Sequence, residues 1–262
     1  MSRSSIRTLL ASLLAGAAVA ACAASTPVDE EMPSAEILYR RGLAHLEHSG
    51  KYLGVLPNSD STKAIESFQQ IIDNYPYSDY AVLSELKIAD AYFADEKYDE
   101  ALSYYRDFSE LHPGHEQVPY ALLQAAKCHY NQAKDPQRDQ TATRQALGFL
   151  DTLLAKYPGT PQATEGETMW KELRTRLGQH EMDIAGFYMA REEYQSAADR
   201  YRNILNRYPG LGLDADALYK LGVCYQRMHR EDEAKQIFEV ILENYKGSDV
   251  AAAAADLVPD AN

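Results

Sequence analysis

Apolar residues recur every three to four positions from Ala35 onward, which is the spacing that amphipathic helices require. Polar residues fill the positions between them, and no stretch of useful length alternates apolar and polar residues as a β-strand does. The pattern therefore predicts an all-α fold over most of the chain.

One motif occurs five times in this helical region. It has a small residue in a first helix, an Ala in a second helix, a large residue four positions later and usually a Pro eight positions after that. The second copy shows it most clearly, with Ala89, Ala101, Tyr105 and Pro113. The pattern is typical of the tetratricopeptide repeat, a helix–turn–helix unit of about 34 residues. The sequence therefore predicts a tetratricopeptide-repeat solenoid of five repeats.

The motif assigns a packing role to each of its residues. The small residue lets the second helix come close, the large residue fills the space beside it, and Pro ends the second helix because it cannot continue it. Tyr stands directly before that Pro in several copies, which explains much of a composition with 19 Tyr against one Trp and six Phe. These tyrosines are predicted to serve packing rather than chemistry.

Two copies have longer connections between their helices. Loops are expected over 50–62 in the first copy and over 131–140 in the third. The first helix of the fourth copy is extended, which predicts one long helix over Pro161–Ala190. Cys128 and Cys224 occupy equivalent positions in non-adjacent copies, too far apart for a disulfide, and are predicted to be buried free thiols.

The start of the chain has the pattern of a secretion signal. Arg3 and Arg7 precede an apolar run over 8–21, which is shorter than the roughly 20 apolar residues of a membrane-spanning helix. The run ends in two alanines directly before Cys22. This arrangement resembles a bacterial lipobox, and an ordinary cleavage site is the alternative. Ala23 stands where Asp would retain a lipoprotein in the inner membrane. We therefore expect a lipid-anchored protein on the periplasmic face of the outer membrane.

Five segments follow from these patterns. The lipid on Cys22 would hold the protein at the membrane by hydrophobic transfer, and a small, acidic, proline-containing stretch would link it to the helices. The segments are a lipoprotein signal peptide at 1–21, the lipidated Cys22 with a flexible tether at 22–34, N-terminal repeats 1 to 3 at 35–160, C-terminal repeats 4 and 5 at 161–250, and a tail at 251–262.

Composition and motifs argue against several functions. The formal net charge is −13 and no run of Lys and Arg occurs, which argues against binding of nucleic acid. The sequence contains neither a phosphate-binding glycine loop nor the motif of a nucleophilic enzyme. His45 and His48 lie one helical turn apart but lack a third ligand, and are interpreted as a solvated helix face. We therefore predict no enzyme, no metal and no cofactor besides the covalent lipid.

The inner surface of such a solenoid is lined by first-helix residues that face away from the second helix. In copies one to three these positions form an apolar and aromatic stripe with isolated charges, which predicts a groove for an extended peptide. Lys127 is the candidate to bind the terminal carboxylate of that peptide. The alternative is that the same residues pack against the neighbouring repeat. The candidate peptide-binding residues are Tyr39, Leu43, Asp90, Phe93, Tyr120, Leu123, Lys127 and Tyr130.

A family resemblance rests on three features together. The lipobox, the five repeats and the segment Arg138-Asp139-Gln140 in the loop of the third copy resemble the BamD family of lipoproteins, also called ComL or YfiO. The pattern of the fourth copy, from His180 to Tyr188, is also similar to this family. The long connection of the first copy, and Lys246 in place of the closing Pro, depart from its usual pattern.

The resemblance implies a scaffold of the machinery that inserts β-barrel proteins into the outer membrane. The C-terminal repeats would dock the periplasmic POTRA region of the barrel subunit BamA, with other lipoproteins of the machinery as further partners. The N-terminal repeats would receive the aromatic C-terminal signal of unfolded outer-membrane β-barrel proteins. The candidate partner-binding residues are Arg138, Asp139, Gln140 and Arg200.

Two alternatives stay open on the sequence alone. Arg200 is expected either to contact BamA or to form an ion pair with a neighbouring acid, Glu193 or Asp199. The function is expected to be barrel assembly, and the alternative is a repeat lipoprotein that coordinates peptidoglycan synthesis or envelope constriction.

Overall fold

A computed structural model describes residues 32–49 and 59–258. Contacts divide the chain at Ser34, and the helical unit begins at Ala35. The signal peptide, Cys22, most of the tether and the first nine residues of the predicted loop at 50–62 lie outside the described residues. Within them the elements are α1 (Ala35–Ser49), α2 (Ser59–Asn74), α3 (Asp79–Ala94), α4 (Tyr98–Leu111), α5 (Val118–Gln132), α6 (Thr141–Lys156), α7 (Pro161–Ala190), α8 (Tyr194–Arg207), α9 (Asp214–Arg227), α10 (Glu231–Asn244) and α11 (Asp249–Ala255).

The first ten helices form five consecutive pairs, which confirms the all-α fold and the five repeats. Each helix packs on the next, and the first helices also touch in two neighbouring pairs of repeats, α1 with α3 and α5 with α7. In these pairs the first helices therefore lie side by side. None of the described helices has the length and apolar character needed to cross a membrane.

Three repeats share the same tight turn between their two helices. Glu96, Glu192 and His229 have φ angles of 59°, 62° and 58°, a left-handed conformation that is uncommon for residues other than Gly. The residue after each of them donates its N–H to a carbonyl of the preceding helix, at 2.9 Å from Lys97 to Tyr92 for example. These are the copies without an insertion, so this turn fixes their common spacing.

Close helix approach depends on the small residue of the first helix. A Cβ added to Gly42 would lie 2.5 Å from the Phe68 ring, and one added to Gly222 would lie 2.5 Å from the Phe238 ring. Both distances are shorter than real contacts of Cβ atoms, so Phe occupies the space that a side chain on the facing helix would need. The steric interpretation of the repeat motif therefore holds at these two crossings.

Helix α7 joins two parts of the core. Its Leu173 and Leu177 pack among the buried residues of repeats 2 and 3, whereas Ala185 packs among those of repeats 4 and 5. The helix covers Pro161–Ala190, as the sequence predicts, and Thr160 caps its start by accepting the N–H of Ala163 at 3.1 Å. Repeats 3 and 4 are therefore connected by one continuous helix.

Two segments differ from the sequence prediction. Helix α2 begins at Ser59, so the end of the predicted loop at 50–62 is helical; buried Ser61 holds this turn by donating to Asp95 at 2.7 Å. The predicted tail at 251–262 begins inside α11, whose Ala251 and Ala254 are buried against repeats 4 and 5. In both segments the buried side chains are small. Amphipathic periodicity is read mainly from large apolar residues and does not reveal them.

The two described cysteines are buried and free. Cys128 lies in the core of repeats 2 and 3, and Cys224 in that of repeats 4 and 5, with its Sγ 3.2 Å from the sulfur of Met189. Burial raises the pKa of the Cys128 thiol to about 12 and that of Cys224 to about 11. Both side chains are therefore neutral packing residues at ordinary pH.

His129 is a buried imidazole on α5. It is 7% exposed, and its ring stacks on Phe149 at a centroid distance of 5.9 Å. No group in the described part of the chain forms a hydrogen bond with its Nδ1. Burial lowers the pKa of His129 below its usual value, while the negative charge of Asp99 opposes this shift.

We expect the exchange of Gly222 for Ala to destabilise the protein by about 1–3 kcal/mol, because the new methyl group overlaps the Phe238 ring. Gly186→Ala is the matched control: it also lies inside a helix, but no atom is found within 4 Å of the added Cβ. That change should stabilise by about 0.5–1 kcal/mol through helix propensity. Urea unfolding measures both, and equal effects would contradict the proposed crossing.

We also expect His129 to make the protein less stable as the pH falls. Below about pH 6.5 the unfolded chain binds a proton on this imidazole that the folded chain does not bind. Stability is therefore lost with decreasing pH until the lowered folded pKa is reached. Thermal melts between about pH 7 and pH 5 should show a smaller loss for His129→Leu than for the wild type. His45→Leu serves as control, and identical losses in all three proteins would refute the effect.

Candidate functional site

A small pocket lies where the first helices of repeats 1, 2 and 3 meet. Its volume is about 240 Å³, and each of α1, α3 and α5 contributes to its wall. Two of the eight predicted peptide-binding residues, Tyr39 and Tyr120, are in its wall. The lining residues are Tyr39, Leu83, Leu86, Lys87, Gln117 and Tyr120.

Asp90 organises the wall of this pocket. Its Oδ1 accepts hydrogen bonds from the hydroxyls of Tyr105 and Tyr120, each at 2.7 Å. Its Oδ2 lies 2.7 Å from the ammonium of Lys87. The side chain of Asp90 is only 16% exposed, so its carboxylate is part of a structural network that joins α3, α4 and α5.

The hydroxyls of Tyr105 and Tyr120 stay protonated, so both always donate hydrogen bonds. Burial, followed by the negative charge of Asp90, raises the pKa of Tyr105 and of Tyr120 well above the usual range. The two rings also meet edge to face, with centroids 6.3 Å apart. Tyr120 therefore presents its ring to the pocket while its hydroxyl stays bound to Asp90.

Tyr39 closes the pocket from repeat 1. Its ring lies 5.6 Å from Phe68 and 5.2 Å from Tyr80 between centroids. Burial raises the pKa of Tyr39, although the charge of Lys87 opposes the shift. The aromatic wall is thus fixed by packing within repeats 1 and 2 before any ligand arrives.

The other predicted peptide-binding residues lie outside this pocket. Leu123 is 2% exposed and belongs to the core, and Leu43 packs on the core of repeat 1. Phe93 packs edge to face on Tyr98 at 5.4 Å. The aliphatic pair thus follows the packing alternative, because its side chains fill the space between helices.

Lys127 and Tyr130 contact the long helix α7. Lys127 Nζ lies 2.7 Å from Glu165 Oε1. The hydroxyl of Tyr130 donates to Glu172 at 2.7 Å, and the guanidinium of Arg176 lies 5.9 Å from its ring centroid. These two predicted groove residues therefore belong to a second surface, between repeats 3 and 4.

The segment Arg138-Asp139-Gln140 divides into one buried and two exposed residues. Gln140 is 1% exposed, and its Nε2 donates to the carbonyls of Asp135 at 2.7 Å and Arg138 at 3.0 Å. Its Oε1 accepts from the hydroxyl of Thr143 at 2.8 Å. Gln140 therefore shapes the loop, while the exposed Arg138 and Asp139 are the members that a partner can reach.

This loop rests on α7. His180 Nδ1 and the Pro136 carbonyl are 2.5 Å apart, and Gln137 Nε2 donates to Asp183 Oδ2 at 2.7 Å. The connection between α5 and α6 is thus held against the following repeat, which presents its exposed residues in a fixed position.

Arg200 on α8 pairs with an acid on α7. Its guanidinium donates to Glu181 Oε2 at 2.9 Å, and this hydrogen bond is the main cause that raises the pKa of Arg200. Glu181 is 13% exposed and Arg200 is 39% exposed. The suggested partners Glu193 and Asp199 pair with Arg191 and Arg202 instead, because Arg200 faces across to α7 rather than along its own helix.

The sequence pattern does not indicate Lys87 and Gln117, which line the pocket, or the exposed Phe187. Lys87 lines the pocket, and its position three residues before Asp90 on one helix face is the signal that could have indicated it. Phe187 on α7 is 59% exposed, and the guanidinium of Arg191 lies 5.4 Å from its ring centroid. Among the described residues no group of three or more His, Cys, Asp or Glu could hold a metal ion.

Comparison with known families gives one match over most of the chain. The profile of the YfiO family, described as outer membrane lipoprotein, matches residues 51–241. The chain is also similar to curated proteins named outer membrane protein assembly factor BamD. That of Caulobacter vibrioides is 29% identical over 91% of this chain and 76% of the relative. That of Neisseria meningitidis is 26% identical over 93% of both, and that of Rickettsia prowazekii is 26% identical over 92% of both.

Solved structures with a similar arrangement are repeat proteins. The TPR2AB domain of yeast Sti1, solved in a pHSP90 complex, has a TM-score of 0.46 and 13% identity over 85% of this chain and 87% of that chain. A thermophilic TPR protein of Thermus thermophilus has a TM-score of 0.36 and 17% identity over 86% of this chain and 98% of that chain.

Proposed function

Because the chain belongs to the YfiO family of outer membrane lipoproteins, we propose that it acts as a scaffold in the assembly of outer membrane proteins. The similar proteins of three bacteria are named assembly factors, and the fold consists of helix pairs suited to binding extended surfaces. The protein is a scaffold and not an enzyme. Its partners are components and substrates of the assembly machinery.

The membrane attachment is proposed to be a lipid on Cys22, with the helical unit on the periplasmic side of the outer membrane. The lipobox and the description of the family support this proposal. Mass spectrometry of the purified protein tests it, since an unmodified thiol on Cys22, or cleavage at another residue, would contradict the anchor.

The N-terminal repeats are proposed to receive the C-terminal segment of unfolded outer-membrane β-barrel proteins. The observation that carries this proposal is the pocket shared by α1, α3 and α5, with Tyr39 and Tyr120 in its wall. Three repeats contribute to it, so a segment that crosses the first helices can place a side chain there while its backbone stays extended. An aromatic side chain suits these walls.

The C-terminal repeats are proposed to dock the POTRA region of the barrel subunit BamA, with other lipoproteins of the machinery as further partners. The exposed guanidinium of Arg200 on α8 pairs with the mostly buried Glu181 of α7, and Phe187 is exposed on the same long helix. The exposed Arg138 and Asp139 are held near α7 by their loop. Arg and exposed aromatic residues are enriched at protein–protein interfaces.

Binding of a peptide that ends in Phe tests the groove. Tyr120→Ala should weaken binding by about 2 kcal/mol, roughly thirtyfold, because the aromatic wall is lost. Tyr77→Ala is the matched control, since Tyr77 is fully exposed in the turn before α3. Fluorescence anisotropy with a labelled peptide measures both. Unchanged affinity of the Tyr120→Ala protein would refute the receptor role of this pocket.

Association with the POTRA region tests the docking surface. Arg200→Glu should weaken it more than Arg200→Ala, because the new carboxylate faces both Glu181 and the acidic partner that a guanidinium would bind. Arg202→Glu is the control on the same helix, since Arg202 pairs with Asp199 of its own helix rather than with α7. Thermal melts verify that each variant folds. If Arg202→Glu lowers binding as much as Arg200→Glu, the effect is one of net charge and the site is discarded.

A further inference from the structure

Lys87 brings a positive charge to the wall of the N-terminal pocket. Its side chain is 31% exposed, and its Nζ lies 2.7 Å from Asp90 Oδ2. An ammonium group has three N–H donors, and Asp90 accepts one of them. Two donors remain for a ligand, and the Lys87 side chain is among the residues that line the pocket.

The hydrogen bonds of Asp90 fix the position of the Lys87 ammonium. Asp90 is held by the hydroxyls of Tyr105 on α4 and Tyr120 on α5, both at 2.7 Å, so its carboxylate cannot turn without breaking two hydrogen bonds. Three donors share the negative charge of Asp90, which weakens its repulsion of a second carboxylate. Lys87 is therefore preorganised, and little side-chain entropy is lost when it binds an anion.

The rest of the pocket is apolar or neutral. Tyr39, Leu83, Leu86 and Tyr120 provide aromatic and aliphatic walls, and Gln117 provides an amide. None of the six lining residues is acidic, although the chain contains 39 Asp and Glu. A volume of about 240 Å³ is below the ~300–1,000 Å³ of small-molecule sites and suits one large side chain. The ligand chemistry is thus an apolar side chain next to a carboxylate.

We infer that Lys87 binds the terminal α-carboxylate of a peptide whose last side chain occupies this pocket. In the last residue of a peptide, the carboxylate carbon and the side-chain Cβ are both bonded to Cα. One small pocket with one ammonium can therefore hold the carboxylate and the side chain together. The inference rests on the proposed peptide-receptor function and adds to it that the site selects a free chain end. An aromatic residue inside a chain presents no carboxylate to Lys87.

This assignment replaces Lys127 as the carboxylate-binding residue. Lys127 is not among the residues that line the pocket, and its ammonium is paired with Glu165 of α7. A ligand carboxylate at Lys127 would have to compete with that ion pair. Lys87 also has an acid partner, but its partner is held by two further donors and lies behind the pocket wall.

The test compares two labelled peptides that both end in Phe, one with a free C-terminal carboxylate and one with an amide, on the full chain in detergent. The wild type should bind the acid about tenfold more tightly than the amide, because a charge-assisted hydrogen bond is lost in the amide. Lys87→Met should bind both peptides with the affinity of the amide. Added salt should reduce the difference in the wild type.

Further variants separate the possible outcomes. Lys171→Met, an exposed lysine on α7, controls for net charge, and Lys127→Met tests the rival assignment. Equal affinity of the wild type for acid and amide, or loss of the preference in Lys127→Met but not in Lys87→Met, overturns the inference. In those cases the proposed receptor function stands if Tyr120→Ala still weakens both peptides. If neither peptide binds the wild type, the receptor function itself fails.

Discussion

Each repeat depends on a close approach between its two helices, where a glycine or alanine of the first helix leaves room for a large side chain of the second. At Gly42 and Gly222 the space is filled by the rings of Phe68 and Phe238, and a single added carbon would collide with them. Because this contact fixes how each pair of helices packs, it also fixes which side of the first helix remains uncovered. The pocket between α1, α3 and α5 is formed on that uncovered side.

The long helix α7 connects the repeats that form the pocket to the proposed docking surface. Its N-terminal half is packed with the repeats that contain the pocket, and its C-terminal half carries Glu181 and Phe187. It also supports the loop after α5 through His180 and Asp183. The proposed peptide site and the proposed docking site are thus connected by a continuous helix rather than by a linker.

The sequence predicts the fold well because the repeat motif records packing directly. Spacing of small and large residues is a steric requirement, so the five repeats and the limits of α7 follow from it. The candidate site is less predictable, since Lys87 and Lys127 both lie on first helices with similar periodicity. Only the three-dimensional structure shows that the side chain of Lys87 lines the pocket, whereas the ammonium of Lys127 is paired with Glu165 of α7. Gln140 likewise looks like an exposed loop residue until its carbonyl and hydroxyl partners are seen.

The tight turns at Glu96, Glu192 and His229 form the joint between the first and the second helix of their repeats. In the third repeat the same joint carries the longer segment that rests on α7. Closing a longer loop costs little more than closing a short one, because the entropy grows only with the logarithm of length. New recognition elements can therefore be acquired at these joints one repeat at a time, while the helix crossings that hold the array together remain unaltered.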